Sequence, residues 1–253
     1  MPESAPAIDA RQVLSTTPAQ LAEIMRGPPE RFAPWVRAAA ECGLVEAQAI
    51  LGQILLDGTG LPKDPQAGLQ WFKRAAHADH LMAINMVGRC YENGWGTEPD
   101  QVVAAYWFRL AADRGLDWGM YNYAHMLNSG RGGVASDPAA ALALYRRAAD
   151  MGHAKSHGMV GRFYEEGRAV EPDPEHAFDR YRRSAEGGDF RGMFHYARML
   201  IARGDAEQAL DWLRRVPRTS TPAFMQTVRD YACASGFPEI AQWGRTLAVP
   251  RPS

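Results

Sequence analysis

The sequence predicts an all-α protein, a solenoid of antiparallel helix pairs with units of about 36 residues, and three recurrences carry that prediction. A hydrophobic or aromatic residue followed by a small one returns at Leu51-Gly52, Val87-Gly88, Tyr123-Ala124, Val160-Gly161 and Tyr196-Ala197, in steps of 36 or 37 residues. Six residues after each of the first four small residues stands a glycine, at Gly58, Gly94, Gly130 and Gly167, where a helix is expected to stop in the left-handed conformation. A polar loop and an aspartate come next, as Asp64-Pro65, Asp100-Gln101, Asp137-Pro138, Asp173-Pro174 and Asp205-Ala206; aspartate before proline is an N-cap followed by a favoured first helical residue. One helix pair cannot bury its apolar face alone, whereas a stack of pairs does.

The elements follow in chain order. Thr17 to Met25 and Glu30 to Cys42 are expected to form a divergent pair capping the N-terminal end, within a segment spanning 1–43. Five repeats then occupy 44–217, as 44–79, 80–115, 116–152, 153–188 and 189–217. Each begins with a helix carrying the small residue near its middle. Its second helix carries an aromatic pair or its equivalent and then two small residues: Trp71-Phe72 with Ala75-Ala76, Trp107-Phe108 with Ala111-Ala112, Leu144-Tyr145 with Ala148-Ala149. That spacing of three to four is helical, and Gly115, Gly152 and Gly188 close three of these second helices. The small residues let neighbouring helices approach, and the aromatics fill the space between pairs. In the fifth repeat Gly204-Asp205 follows the first helix directly, so the usual loop is missing. Pro222 to Ala234 and Pro238 to Ala248 are expected to form a final pair within 218–253, and the Pro- and Ser-rich residues before about Ala10 and after Val249 to be loose.

Composition narrows the function classes. A 253-residue chain that is 46% hydrophobic can bury a sizeable core. With 28 basic and 29 acidic side chains, its net charge of -1 supplies no global attraction to nucleic acid or anionic lipid. Met1 to Arg26 lacks a basic region followed by an apolar run, and no later segment approaches membrane-spanning length, so a cytoplasmic location without membrane insertion is expected. Three widely spaced cysteines, Cys42, Cys90 and Cys233, make neither a disulfide framework nor a zinc knuckle and are expected to be reduced and mostly buried.

No catalytic chemistry emerges. His153 and His157 share a helix face, but Ala154, Lys155 and Ser156 lie between them in place of a zinc-protease motif, so they are read as surface histidines at a repeat junction and no metal is assigned. Gly94-Trp95-Gly96 and Gly130-Arg131-Gly132-Gly133 recur in register as inter-helix loops, without the strand or the lysine of a phosphate cradle. Trp71, Trp107, Phe108, Tyr145, Tyr181 and Trp212 occupy repeat-equivalent positions and are read as core. The chain is therefore expected to be no enzyme and to need no cofactor.

The repeat resembles the Sel-1-like repeats, relatives of the tetratricopeptide repeats. The resemblance rests on Ala83 to Gly96 joined to Asp100 to Gly115, which is similar to the pattern A-x-A-x-x-x-L-G-x-x-Y-x-x-G-x-G then D-x-x-x-A-x-x-W-Y-x-x-A-A-x-x-G; it covers Leu44 to Gly188 in four full copies, with a shortened fifth from Asp189. It implies a right-handed solenoid and a protein-binding scaffold or adaptor, mostly bacterial in examples like this, that holds a partner protein or peptide in the groove lined by the first helix of each unit. The family also suggests an accessory subunit in an envelope or iron-uptake pathway, partnering an iron- and 2-oxoglutarate-dependent hydroxylase, which no residue here establishes. A beta-lactamase-like hydrolase is suggested by cysteine-rich relatives, whose paired cysteines are absent here.

By the tetratricopeptide rule, the residue after each central small residue points into the groove: Gln53, Arg89, His125, Arg162 and Arg198. Four residues earlier lie Ala49, Asn85, Tyr121, Gly158 and Phe194, and three beyond lie Leu56, Glu92, Asn128, Glu165 and Ile201. The resulting candidate groove residues are Asn85, Arg89, Glu92, Tyr121, His125, Asn128, Arg162, Phe194 and Arg198, a basic ladder beside aromatic and amide groups suited to a partner with acidic groups. Trp95, in a loop, and Trp118, at a helix start, are candidate exposed anchors. The competing reading is that Arg89 pairs with Glu92, and Arg162 with Glu165 and Glu166, along their own helices. Those same glutamates count against nucleic acid as the ligand.

Overall fold

The structure, a computed structural model, describes Ile8 and residues 10–247. The ends expected to be loose, and Ala248 of the last expected helix, fall outside or at the edge of these residues. The chain divides into two compact units, Met1–Ser136 and Asp137–Ser253. Among the described residues each is built of helices joined by loops.

Unit 1 contains α1 (Ala10–Ser15), α2 (Pro18–Met25), α3 (Pro29–Glu41), α4 (Val45–Asp57), α5 (Pro65–His77), α6 (Leu81–Asn93), α7 (Gln101–Asp113) and α8 (Asp117–Ser129). Unit 2 contains α9 (Pro138–Asp150), α10 (Ala154–Glu166), α11 (Pro174–Glu186), α12 (Phe190–Ala202), α13 (Ala206–Leu213), a 3-10 turn at Val216–Arg218, α14 (Pro222–Cys233) and α15 (Pro238–Thr246). The short α1 precedes the expected N-terminal pair and carries no repeat signature by which the sequence could announce it.

The caps lie where the glycines and aspartates predict. Gly58, Gly94, Gly130 and Gly167 end α4, α6, α8 and α10 with φ of 79, 73, 65 and 64°. Asp64, Asp100, Asp137, Asp173 and Asp205 each accept a backbone N–H from the first turn of the following helix, as from Ala67 to Asp64 Oδ1 at 2.9 Å. Consecutive helices then pack in order, α3 on α4 through α7 on α8 in unit 1 and α9 on α10 through α12 on α13 in unit 2. The amide of Asp64 donates to the carbonyl of Leu55, so the start of α5 meets the end of α4, as an antiparallel pair requires.

In the first, second and fourth repeats the glycine at the middle of the first helix is needed by an aromatic ring on the second. A Cβ built on Gly52 would stand 2.7 Å from the ring of Phe72, on Gly88 2.7 Å from Phe108, and on Gly161 3.0 Å from Tyr181. In the fifth repeat, where the small residue is Ala197, the second helix presents the smaller Leu213, and both are fully buried. A second close approach joins the third pair to the second: a Cβ on Gly119 would lie 2.5 Å from that of Ala111. Among the expected core aromatics, Phe108, Tyr145 and Tyr181 are fully buried, while Trp71, Trp107 and Trp212 are half-buried.

Two expectations about burial are corrected. Cys42 and Cys233 are exposed because they lie at the C-terminal ends of α3 and α14; only Cys90, on the inward side of α6, is buried, which raises its thiol pKa to about 11. His153 and His157 are buried, not on the surface. They lie at the start of α10, which packs on α9; His153 Nδ1 lies 2.8 Å from Ser156 Oγ, and His157 Nδ1 lies 3.4 Å from Arg180.

Alanine in place of Gly88 is expected to destabilise the protein by about 1–2 kcal/mol, because overpacking outweighs the helix propensity gained. In urea denaturation the Gly88→Ala/Phe108→Leu pair should cost less than the sum of its single changes. Ala169 takes φ of 57° at the loop position where the first three repeats have Gly60, Gly96 and Gly132. Ala169→Gly is therefore expected to raise stability by about 0.5–1 kcal/mol, read as a higher urea midpoint at unchanged slope.

Candidate partner-binding surface

The side chains expected to line a groove come from the first helices α4, α6 and α8 in unit 1 and α10 and α12 in unit 2. In unit 1, Gln53 is exposed and its Nε2 donates to Asp57 at 2.6 Å. Arg89 is exposed, and its guanidinium carbon sits 4.9 Å from the centre of the Trp95 ring. It makes no ion pair among the described residues: Glu92, half-buried, faces Arg131 at 3.7 Å instead. Asn85 is buried, and its Oδ1 accepts from Nδ2 of Asn122 at 2.8 Å, which ties α6 to α8. Tyr121 and His125 are half-buried with ring centres 4.6 Å apart, and Trp118 meets Tyr121 edge-on at 6.2 Å. Asn128 is half-buried one turn further along α8. Trp95 is half-buried, packed against the core around Phe72 and Val87.

Unit 2 treats the same positions differently. Arg162 is exposed, and its Nε donates to Glu166 at 2.6 Å within α10. Arg198 on α12 pairs with Glu165 on α10, whose other oxygen accepts the hydroxyl of Tyr181 at 2.7 Å. Burial pushes the Glu165 carboxyl up, and the hydrogen bonds from Arg198 and Tyr181 overcome it, leaving its pKa below the usual carboxylate range. Phe194 is buried against Phe224 and Tyr231. His195, one residue on, stacks on Tyr181 at 4.9 Å; burial and then the Arg198 charge lower its pKa from 6.5 to about 4.

Two clefts lie at the C-terminal ends of these first helices, one in each unit. The unit 1 cleft, about 450 Å³, is lined by Leu56, Asp57, Lys63, Met86, Arg89 and Trp95 among others. The unit 2 cleft, about 430 Å³, has Glu165, Glu175, Arg198, Met199, Arg203 and Tyr231 in its lining. There Arg203 donates to Glu175 at 2.7 Å and lies over the Phe178 ring. Lys63 and Met86 escaped the sequence reading because neither falls in the three groove rows. Lys63 belongs to a loop, and Met86 lies between two of those rows. Among the described residues no three His, Cys, Asp or Glu side chains gather as a metal-holding group, and no helix is long and apolar enough to cross a membrane.

The recurrence that sets these helices matches a family model, the Sel1 repeat, at residues 45–80, 81–116, 119–153, 154–189 and 192–215. The chain belongs to the Sel1 repeat family. Sel1 repeat proteins are generally protein-interaction scaffolds. A Sel1 repeat protein from Oxalobacter formigenes is similar in structure with a TM-score of 0.74 at 22% identity, over 90% of this chain and 97% of that one. A protective antigen of uropathogenic Escherichia coli aligns with a TM-score of 0.68 at 24% identity, over 92% of this chain and 53% of that one. An immunity protein from Pseudomonas aeruginosa aligns with a TM-score of 0.56 at 18% identity, over 85% of this chain and 88% of that one. These likenesses show the fold. No curated protein sequence matches the chain.

In this Sel1 repeat protein the half-buried His195, whose pKa burial lowers, makes stability depend on pH. Its folded pKa lies below the unfolded one, so its contribution is fully present above pH 6.5 and is lost as pH falls towards about 4. Over that window the slope reaches up to about 1.4 kcal/mol per pH unit. The difference in unfolding free energy between wild type and His195→Phe, measured by urea denaturation from pH 7.5 to pH 4.5, should shrink as pH falls.

Proposed function

We propose that this protein is a non-catalytic cytoplasmic scaffold that holds a partner protein through the exposed first-helix side chains of unit 1. The observation that carries the reading is the different fate of the ladder's arginines: Arg162 and Arg198 are matched by glutamates, and Arg89 is exposed with only an aromatic face beside it. A guanidinium stacked on a ring uses its face and keeps its in-plane N–H donors for an incoming acceptor. Tyr121 and His125 on α8 add rigid aromatic area on the same side of the helix pairs, since they repeat the positions of Asn85 and Arg89. Asn85, buried, supports this surface from beneath, whereas Phe194 belongs to the core of unit 2. In unit 2 Arg198 joins α12 to α10 and Arg162 is paired within α10, with Glu92 and Asn128 at the edge of the unit 1 surface. The partner is another protein or peptide bearing acidic groups, and the three free cysteines suit a reducing compartment.

Affinity capture from native cell extract tests this. Immobilised wild type should retain a partner that Arg89→Ala loses, while the Arg162→Ala/Arg198→Ala variant still retains it, its own thermal midpoint being lowered because Glu165 is left uncompensated. Equal capture by wild type and Arg89→Ala would overturn the role of this surface.

A further inference from the structure

The two clefts are the same place in the repeat, three units apart. In register, Leu56 corresponds to Glu165, Gln66 to Glu175, Arg89 to Arg198 and Trp95 to Gly204. In unit 2 both glutamates are present, and each neutralises an arginine of its cleft, Glu165 with Arg198 and Glu175 with Arg203. In unit 1 leucine and glutamine stand at those positions. Arg89 is consequently left without a carboxylate, and Lys63, exposed on the cleft's loop side, makes no ion pair among the described residues either. One carboxylate also lines the cleft, Asp57, bonded by the amide of Gln53 at 2.6 Å, so the lining carries two cations to one anion. Two cations thus face a space whose floor includes Leu56 and Met86, both buried, with Trp95 beside them.

We infer that the unit 1 cleft takes a glutamate or aspartate side chain, flanked by an apolar residue, from an extended segment of the partner protein. The carboxylate replaces the glutamate that unit 2 supplies internally. It meets the guanidinium edge of Arg89 and the ammonium of Lys63, while the apolar neighbour lies on Leu56, Met86 and Trp95. Stacking on Trp95 holds Arg89 before the ligand arrives, which lowers the ordering cost of binding. The inference rests on the scaffold reading only in that its occupant is a segment of a protein.

The test follows the Trp95 indole and Arg89 Nε resonances of the full-length ¹⁵N-labelled protein during titration with Ac-Ala-Leu-Glu-Leu-Ala-amide. Parallel titrations use the peptide with glutamine in place of glutamate, and sodium phosphate. The glutamate peptide is expected to shift both resonances saturably and to bind roughly tenfold more tightly than the glutamine peptide. Lys63→Gln, far from the core, should bring the two peptides to similar affinity with an unchanged thermal midpoint, and Arg89→Gln should do the same on the Trp95 signal. Equal binding of both peptides to wild type overturns the carboxylate assignment and leaves the scaffold reading standing. Phosphate binding as tightly as the glutamate peptide overturns it in favour of a general anion pocket. No shift with any ligand, alongside a captured partner that Arg89→Ala still loses, likewise overturns the inference without touching the scaffold.

Discussion

The fold depends on one contact, an aromatic ring lying against the bare backbone of a glycine. Phe72 on Gly52, Phe108 on Gly88 and Tyr181 on Gly161 bring the two helices of a pair close enough that a methyl group would not fit between them. Dispersion and apolar burial both need this proximity, because interiors are packed without room for an added carbon. The third and fifth repeats have alanine at this place, and in the fifth the second helix carries Leu213 in place of an aromatic, Ala197 and Leu213 both being fully buried. Once the pairs are set, the first helices are held in a fixed register, and that register decides which residues face one another between repeats.

Charge is distributed over that register unevenly. In unit 2 the carboxylate of Glu165 receives both Arg198 and the hydroxyl of Tyr181, so this position joins α10, α11 and α12. His195 stacks on the same tyrosine and is kept neutral by its burial and by the arginine. In unit 1 the corresponding carboxylate is absent, Leu56 joins the core, and Arg89 rests on Trp95. The same repeat position therefore serves cohesion in one unit and is left without a carboxylate in the other. An exposed arginine braced by a ring differs from the surface pairs elsewhere, such as Arg109 with Asp113, which are individually worth little.

Much of the architecture was legible because its signals are local. An aspartate cap reaches the amides two or three residues ahead, and a left-handed glycine ends its own helix, so Asp100 or Gly94 can be read with no knowledge of the rest of the chain. The candidate surface was legible only in part. Register placed Arg89, Tyr121 and His125 on the first helices, but it also placed Asn85 and Phe194 there, and both are buried, Asn85 under a bond to Asn122. Within-helix pairing of Arg162 with Glu166 follows from a spacing of four. The pairing of Arg198 with Glu165 spans 33 residues and depends on how far two side chains reach between neighbouring helices.

By itself the sequence determined the all-helical class, the period and the caps, since these follow from backbone conformation at fixed spacing; it placed the aromatics between pairs, whereas Phe72, Phe108 and Tyr181 pack against the glycine of their own pair. Only the tertiary structure decided that His153 and His157 are buried, that Glu92 turns to Arg131, and that of three arginines at one repeat position a single one is left without a carboxylate. The reason is physical: a residue type carries its own volume and its own φ preference, whereas the partner of a charge is set by whichever side chain an adjacent helix brings within about 4 Å.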